Sequence, residues 1–124
     1  FKGAAEILVS TPMWNWNVPS VLKAYIDQLI HPGVLGGGTP EDSISAKVTV
    51  IAAQGGSYAQ GTPKEGWDWF SGYLTQVFTQ LGSPDIKVIL SELNYAGMIP
   101  GMESLVNKKE ASFAKAKNAV KARV

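Results

Sequence analysis

A chain of 124 residues, 45% hydrophobic and 17% charged, has room for one globular domain with a modest core and is too apolar to stay disordered. A net charge of +1 leaves no electrostatic footprint for nucleic acid, and no basic patch interleaves with the aromatics. No apolar run approaches the roughly 18–20 residues of a membrane span, and zero cysteines exclude disulfides and thiolate chemistry, which fits a cytoplasmic protein.

Phe1 is not an initiator Met, and the first strand opens almost at once, the pattern of a chain cut upstream; the lack of a targeting peptide therefore excludes nothing. Glu6 to Ser10 reads as a buried strand and Ser20 to Ile30 as a helix. Val21, Leu22, Tyr25, Ile26, Leu29 and Ile30 follow the helical period, and Ser20 after Pro19 is a candidate N-cap. Between them runs Pro12-Met13-Trp14-Asn15-Trp16-Asn17-Val18-Pro19. A loop leaving the carboxyl end of a strand is where an open α/β sheet binds ligands. Two readings fit its aromatics. Trp14 and Trp16 are hydrophobic plugs at the crest of the domain, or they clamp a planar ligand, with Met13 adaptable and Asn15 at the ring edge.

His31 to Ala46 is a long loop of the kind that forms lids and binding segments. His31, the single histidine, lacks partners for a metal site and is expected to cap the preceding helix near the negative end of its dipole. Gly36-Gly37-Gly38 follows a helix and a loop, so it is no phosphate cradle.

The second unit is the strand Lys47–Ala53, the turn Gln54-Gly55-Gly56-Ser57-Tyr58, a Gly- and Pro-rich run to Gly66, and a helix from about Trp67 to Leu81 stopped by Gly82. Adjacent strand ends in a parallel sheet lie about 5 Å apart, so this turn and the aromatic loop can hold one ligand. Successive glycines let backbone N–H groups approach it. The third unit is the strand Ile86–Ser91, a loop through Tyr95, and a helix from about Met102 to Ala122 with Leu105, Phe113, Ala116 and Val120 facing inward. Loop 31–46 and Tyr95 are further candidates for the wall of an acceptor pocket.

Apolar strands alternating with helices indicate an α/β fold, a parallel sheet with helices on both faces. Ile7-Leu8-Val9 forms an apolar edge of the kind that pairs with another strand. With no cysteine, one histidine and no paired carboxylates, a nucleophilic triad or a metal centre has no residues to build it. The chemistry is expected to come from a cofactor, with the protein supplying position and electrostatics.

Thr11-Pro-Met-Trp-Asn-Trp-Asn-Val-Pro-Ser-Val-Leu-Lys23, followed by Tyr25-Ile26-Asp27, resembles the strand-end motif of the FMN-dependent NADH-azoreductases and NAD(P)H quinone reductases, which are flavodoxin-like. The Gln54-Gly55-Gly56 turn resembles their Gly-Gly turn, and the order of elements matches over nearly the whole chain. The resemblance implies a partial flavodoxin-like domain over residues 1–124, consisting of the last three strand–helix units. It implies that Pro12, Met13, Trp14, Asn15 and Trp16 line the isoalloxazine of FMN, with Gln54, Gly55, Gly56 and Tyr58 near its N1/O2 side and ribityl chain. It further implies ping-pong electron transfer from NADH or NADPH to a quinone or azo compound, and a homodimer. The family's Ser-rich phosphate loop follows an earlier strand that this chain lacks, so the isolated 124 residues are expected to hold FMN poorly or not at all. Alternatives are another flavodoxin-like NADPH-dependent FMN or quinone reductase, or a non-catalytic fragment serving as a binding or assembly module.

Overall fold

A computed structural model describes residues 1–36 and 38–123; Gly37 of the glycine run and Val124 lie outside the described residues. Three strands, β1 (Glu6–Pro12), β2 (Lys47–Ala53) and β3 (Ile86–Ser91), form a parallel sheet in the order β1-β2-β3. β1 runs two residues beyond the predicted Ser10. The pairs Thr11↔Ala52 and Pro12↔Ala53 prolong the ladder, and Pro12 is tolerated because this strand lies at the sheet edge.

The period of two divides β2 cleanly. Val48, Val50 and Ala52 face a core built from Ile26 of α1 (Ser20–Leu29) and Phe70, Leu74, Val77 and Phe78 of α2 (Trp69–Gln80). Ile7 and Val9 of β1 and Ile86, Val88 and Leu90 of β3 extend that same face. The opposite face is covered by α3 (Val106–Arg123), which packs on β3 and places Arg123 on Thr49 of β2. Helices therefore cover both faces, as the strand pattern predicts. α3 stops short of β1, where Leu8 is 60% exposed.

Several boundaries shift for local reasons. Ser20 is the first helical residue of α1 and Pro19 its N-cap, without a side-chain bond; Val21 and Tyr25 face outward, so the buried stripe is narrower than the periodicity suggests. The end of α1 is closed by the Ile30 N–H on the Ile26 carbonyl, with no basic residue in its last turn, and His31 instead opens a turn bridged to Leu35. α2 begins at Trp69, since the Asp68 carboxylate accepts from the Ser71 N–H at 2.8 Å and sets the N-cap there. Gly82 takes the expected left-handed role at φ 95°, with Gly82 and Ser83 N–H groups donating to Thr79 and Phe78 carbonyls.

The described residues of loop 31–46 are anchored on the domain at three positions. Leu35, Ile44 and Ala46 are buried, and the Ile44 N–H donates to Leu81 at the carboxyl end of α2, remote from the strand ends that carry the exit loops. In the last unit a 3-10 turn (Glu103–Leu105) precedes α3. Of the expected inward residues Ala116 is buried and Leu105 and Val120 are half-buried, whereas Phe113 is 59% exposed; Lys109, Ser112 and Arg123 are half-buried too, and Ser112 and Arg123 are bonded to backbone groups of the β3 region.

Candidate active-site cleft

The three strands end level: Pro12 pairs with Ala53, and Ala53 with Ser91. Three exit loops therefore leave side by side and enclose a cleft of about 740 Å³.

The β1 exit loop turns immediately. After the Met13 N–H donates to Ala53, Trp14 and Asn17 exchange both backbone bonds (2.9 and 3.1 Å), leaving Asn15 and Trp16 as a two-residue turn. Both are left-handed, at φ 47° and 66°. Asparagine adopts this conformation readily, whereas tryptophan does so at a cost of roughly 1–2 kcal/mol. The surroundings hold it there. The Trp16 carbonyl accepts from the Trp69 N–H, and its indole meets Trp67 edge-to-face at 5.0 Å. The turn splits the loop: Met13, Asn15 and Trp16 line the cleft, while Pro12 and Trp14 line a second hollow along β1 and α1 with Val9, Tyr25 and Pro19.

The β2 exit loop forms the floor. Gln54, Gly55 and Gly56 give all three carbonyls to the β3 exit loop, accepting from the N–H groups of Asn94 (2.9 Å), Tyr95 (3.1 Å) and Leu93 (3.0 Å). The Asn94 amide nitrogen reinforces this, donating to Gln54 and Ser91 carbonyls. Among the described residues the N–H groups of Gly55 and Ser57 have no protein acceptor. Gln54 itself is 1% exposed and sits beneath the floor, its amide nitrogen without a partner. Gly55, Gly56 and Tyr58 line the cleft. Burial, followed by the nearby Tyr95 and Asp68, pushes the Tyr58 phenol above its ordinary pKa, against the opposing influence of the Gly56 backbone and the Trp16 indole; it stays protonated at neutral pH.

Of the nine predicted residues, six (Met13, Asn15, Trp16, Gly55, Gly56, Tyr58) converge, and Pro12, Trp14 and Gln54 lie outside the cavity. Tyr95 is a wall residue, and no described residue of loop 31–46 is. Ser57, held by Glu92 at 2.8 Å, and Lys64, Leu93, Ile99 and Lys108 are wall residues that the sequence reading missed. The usable signal for Lys64 was its place in a long loop at a strand's carboxyl end, three residues before Trp67. Among the described residues no three His, Asp or Glu side chains gather as a metal site, and no helix is long and apolar enough to cross a membrane.

A parallel α/β sheet with a part-apolar cleft over its level strand ends defines an open-sheet α/β protein, and the cleft lies where that class of fold binds its ligands. The Flavodoxin_2 family model, described as the flavodoxin-like fold, matches residues 1–124, and the chain belongs to that family. It is 42% identical over 124 residues to an FMN-dependent NADH:quinone oxidoreductase of Frankia casuarinae, covering 98% of this chain and 59% of the relative. It is 39% identical over 113 residues to the protein of the same name from Streptomyces avermitilis, covering 91% and 52%. The chain thus spans about half the length of the curated relatives it matches. Among solved structures, an azoreductase from Bacillus anthracis superposes with a TM-score of 0.73 at 23% identity, over 98% of this chain and 56% of that one. An FMN-dependent NADH-azoreductase from the same species, in complex with FMN, superposes with a TM-score of 0.61 at 23% identity over 95% and 57%.

Proposed function

We propose that the cleft over the strand ends holds the ring half of FMN, and that the protein of which these residues are part transfers electrons from NADH or NADPH to quinones or azo compounds. The observation that carries this reading is the convergence of Met13, Asn15, Trp16, Gly55, Gly56 and Tyr58 on one cavity. Relatives named as FMN-dependent NADH:quinone oxidoreductases support the same assignment.

The residues suit a flat, apolar ring with polar edges. Met13 and Trp16 give apolar wall, and Asn15 offers an amide donor and acceptor at the rim. The unpaired N–H groups of Gly55 and Ser57 present positive partial charge to any anion formed beside them. Bound flavin supplies two-electron chemistry that no side chain here can perform. The protein's part is to position the ring, exclude water around Trp16 and keep a protonated phenol, Tyr58, at the wall. Donor and acceptor occupying the same cleft in turn gives ping-pong turnover. A homodimeric, cytoplasmic protein belongs to the same proposal and rests on the family resemblance.

The test is steady-state turnover of the full-length protein reconstituted with FMN, followed by NADH or NADPH oxidation with a benzoquinone or an azo dye. Parallel double-reciprocal lines are expected. Intersecting lines would refute ping-pong turnover, and flavin-loaded protein without reductase activity would refute the assignment.

A further inference from the structure

The cleft wall carries two cations, Lys64 from the loop after β2 and Lys108 from the first turn of α3, and no carboxylate. Carboxylates close by are turned to local donors. Glu65 accepts from the Gly61 N–H, Glu92 from the Ser57 hydroxyl, Glu103 from the Gly101 N–H and Asp68 from the Ser71 N–H. The ion pairs among the described residues involve neither Lys64 nor Lys108.

Lys64 is nevertheless held in place. Its ammonium lies 5.2 Å from the Trp16 ring centroid and 5.4 Å from that of Trp67, and its carbonyl accepts from the Trp67 N–H at 3.2 Å. The difference between an indole partner and a carboxylate partner decides the consequence. A carboxylate would cancel the charge, whereas an indole face orients the cation and leaves its field available to a ligand. An aromatic ligand against Trp16 then finds a positive charge at its edge.

We propose that the cleft prefers ring ligands bearing an anionic group, a carboxylate or sulfonate on the electron acceptor, and that Lys64 sets the preference. The proposal rests on the reading of the cleft as the flavin and acceptor site. A neutral quinone gains nothing from Lys64, while an anionic one gains a charge pair that salt screens.

The test uses the full-length protein loaded with FMN and compares naphthoquinone sulfonate with methyl naphthoquinone. At low ionic strength the sulfonate is expected to have a kcat/KM advantage of about fivefold, the size of one partly screened charge pair. Lys64→Met brings the ratio toward one, Lys64→Arg keeps it, and added salt erodes it. In parallel, naphthalene sulfonate is titrated into flavin-free protein with tryptophan fluorescence as the readout, and Lys64→Met weakens that binding by a similar factor. An unchanged ratio and titration in Lys64→Met overturn the proposal. So does a variant that loses affinity for FMN but not riboflavin, since Lys64 would then serve the cofactor phosphate. Failure to reduce any quinone would refute the flavoenzyme reading alone, because the fluorescence titration still decides the role of Lys64.

Discussion

Tyr95 closes over Gly55. The Tyr95 N–H donates to the Gly55 carbonyl at 3.1 Å, and its ring covers the place where a β-carbon at position 55 would stand, leaving that carbon only 2.9 Å from Cζ. The second loop's glycine is thus required by the third loop's aromatic, and the two together shape one wall of the cleft. Gly55→Ala is expected to drive the half-exposed ring outward at about 1–2 kcal/mol of stability, in the lower range of overpacking costs. Combined with Tyr95→Ala, the same alanine should cost far less than the sum of the single changes. Thermal melts of the four proteins in the cycle check this coupling.

The Asn15-Trp16 turn separates backbone strain from ligand contact. Asn15→Gly should leave stability within about 0.5 kcal/mol, because asparagine already tolerates the left-handed backbone and glycine adds unfolded-state entropy. Trp16→Gly relieves strain but loses the pair with Trp67, worth about 0.5–1.5 kcal/mol. Its melting temperature should therefore stay near the parent's while flavin binding, followed by quenching of flavin fluorescence, falls sharply.

Asp68 has two roles that one substitution divides. It caps α2 through the Ser71 N–H, and its charge is among the causes that raise the Tyr58 pKa after burial and Tyr95. Asp68→Asn should keep the cap and shift the Tyr58 titration downward. Asp68→Ala should cost about 1 kcal/mol in addition. Ultraviolet titration, with Tyr58→Phe identifying the signal, measures the shift, and melts measure the cap.

Arg123 ties the end of α3 to the amino ends of β2 and β3, bonding the Asp85 carboxylate at 2.6 Å, the Thr49 hydroxyl and the Val48 carbonyl. The hydrogen bond from Arg123 is the largest cause holding the Asp85 carboxyl below its ordinary pKa. A depressed folded pKa contributes stability that is full above the unfolded value and disappears as pH falls through the folded value. Arg123→Met should flatten that acid-side loss and lower stability at neutral pH by about 1.5–3 kcal/mol, because the charged donor leaves the Thr49 and Val48 oxygens. Melts recorded from pH 6 downward on both proteins give the comparison.

Elements whose burial follows a simple period were legible in the sequence. The division of β2 into Val48, Val50 and Ala52 on one face and Thr49 on the other is a two-residue repeat, and Gly82 ends α2 for the reason its sequence position suggests. What was not legible depended on non-local geometry. Phe113 looks like a core residue by type, but the α3 stripe runs through Ser112, Ala116, Val120 and Arg123, whose polar members reach specific backbone groups. The aromatic loop is legible as a unit, yet Pro12 and Trp14 turn toward α1 while Met13, Asn15 and Trp16 line the cleft. Lys64 joined the site through a fold-back of the β2 exit loop onto Trp16, visible only once Trp16 and Trp67 are in contact.

The absence of a Ser-rich phosphate loop gives a further expectation. Residues 1–124 produced alone should bind FMN no better than riboflavin, because they carry the cleft proposed for the ring and no Ser-rich loop for the phosphate, whose contacts are each worth about 1.5–3 kcal/mol. Equilibrium dialysis with the two flavins makes the comparison.

The most direct test of the central claim is amide chemical-shift mapping of the full-length protein as FMN is added. The account predicts the largest changes at Met13, Asn15, Trp16, Gly55, Gly56 and Tyr58, with the Gly55 and Ser57 N–H signals moving as they gain an acceptor. Saturable FMN binding that leaves those signals in place and perturbs another surface would contradict it.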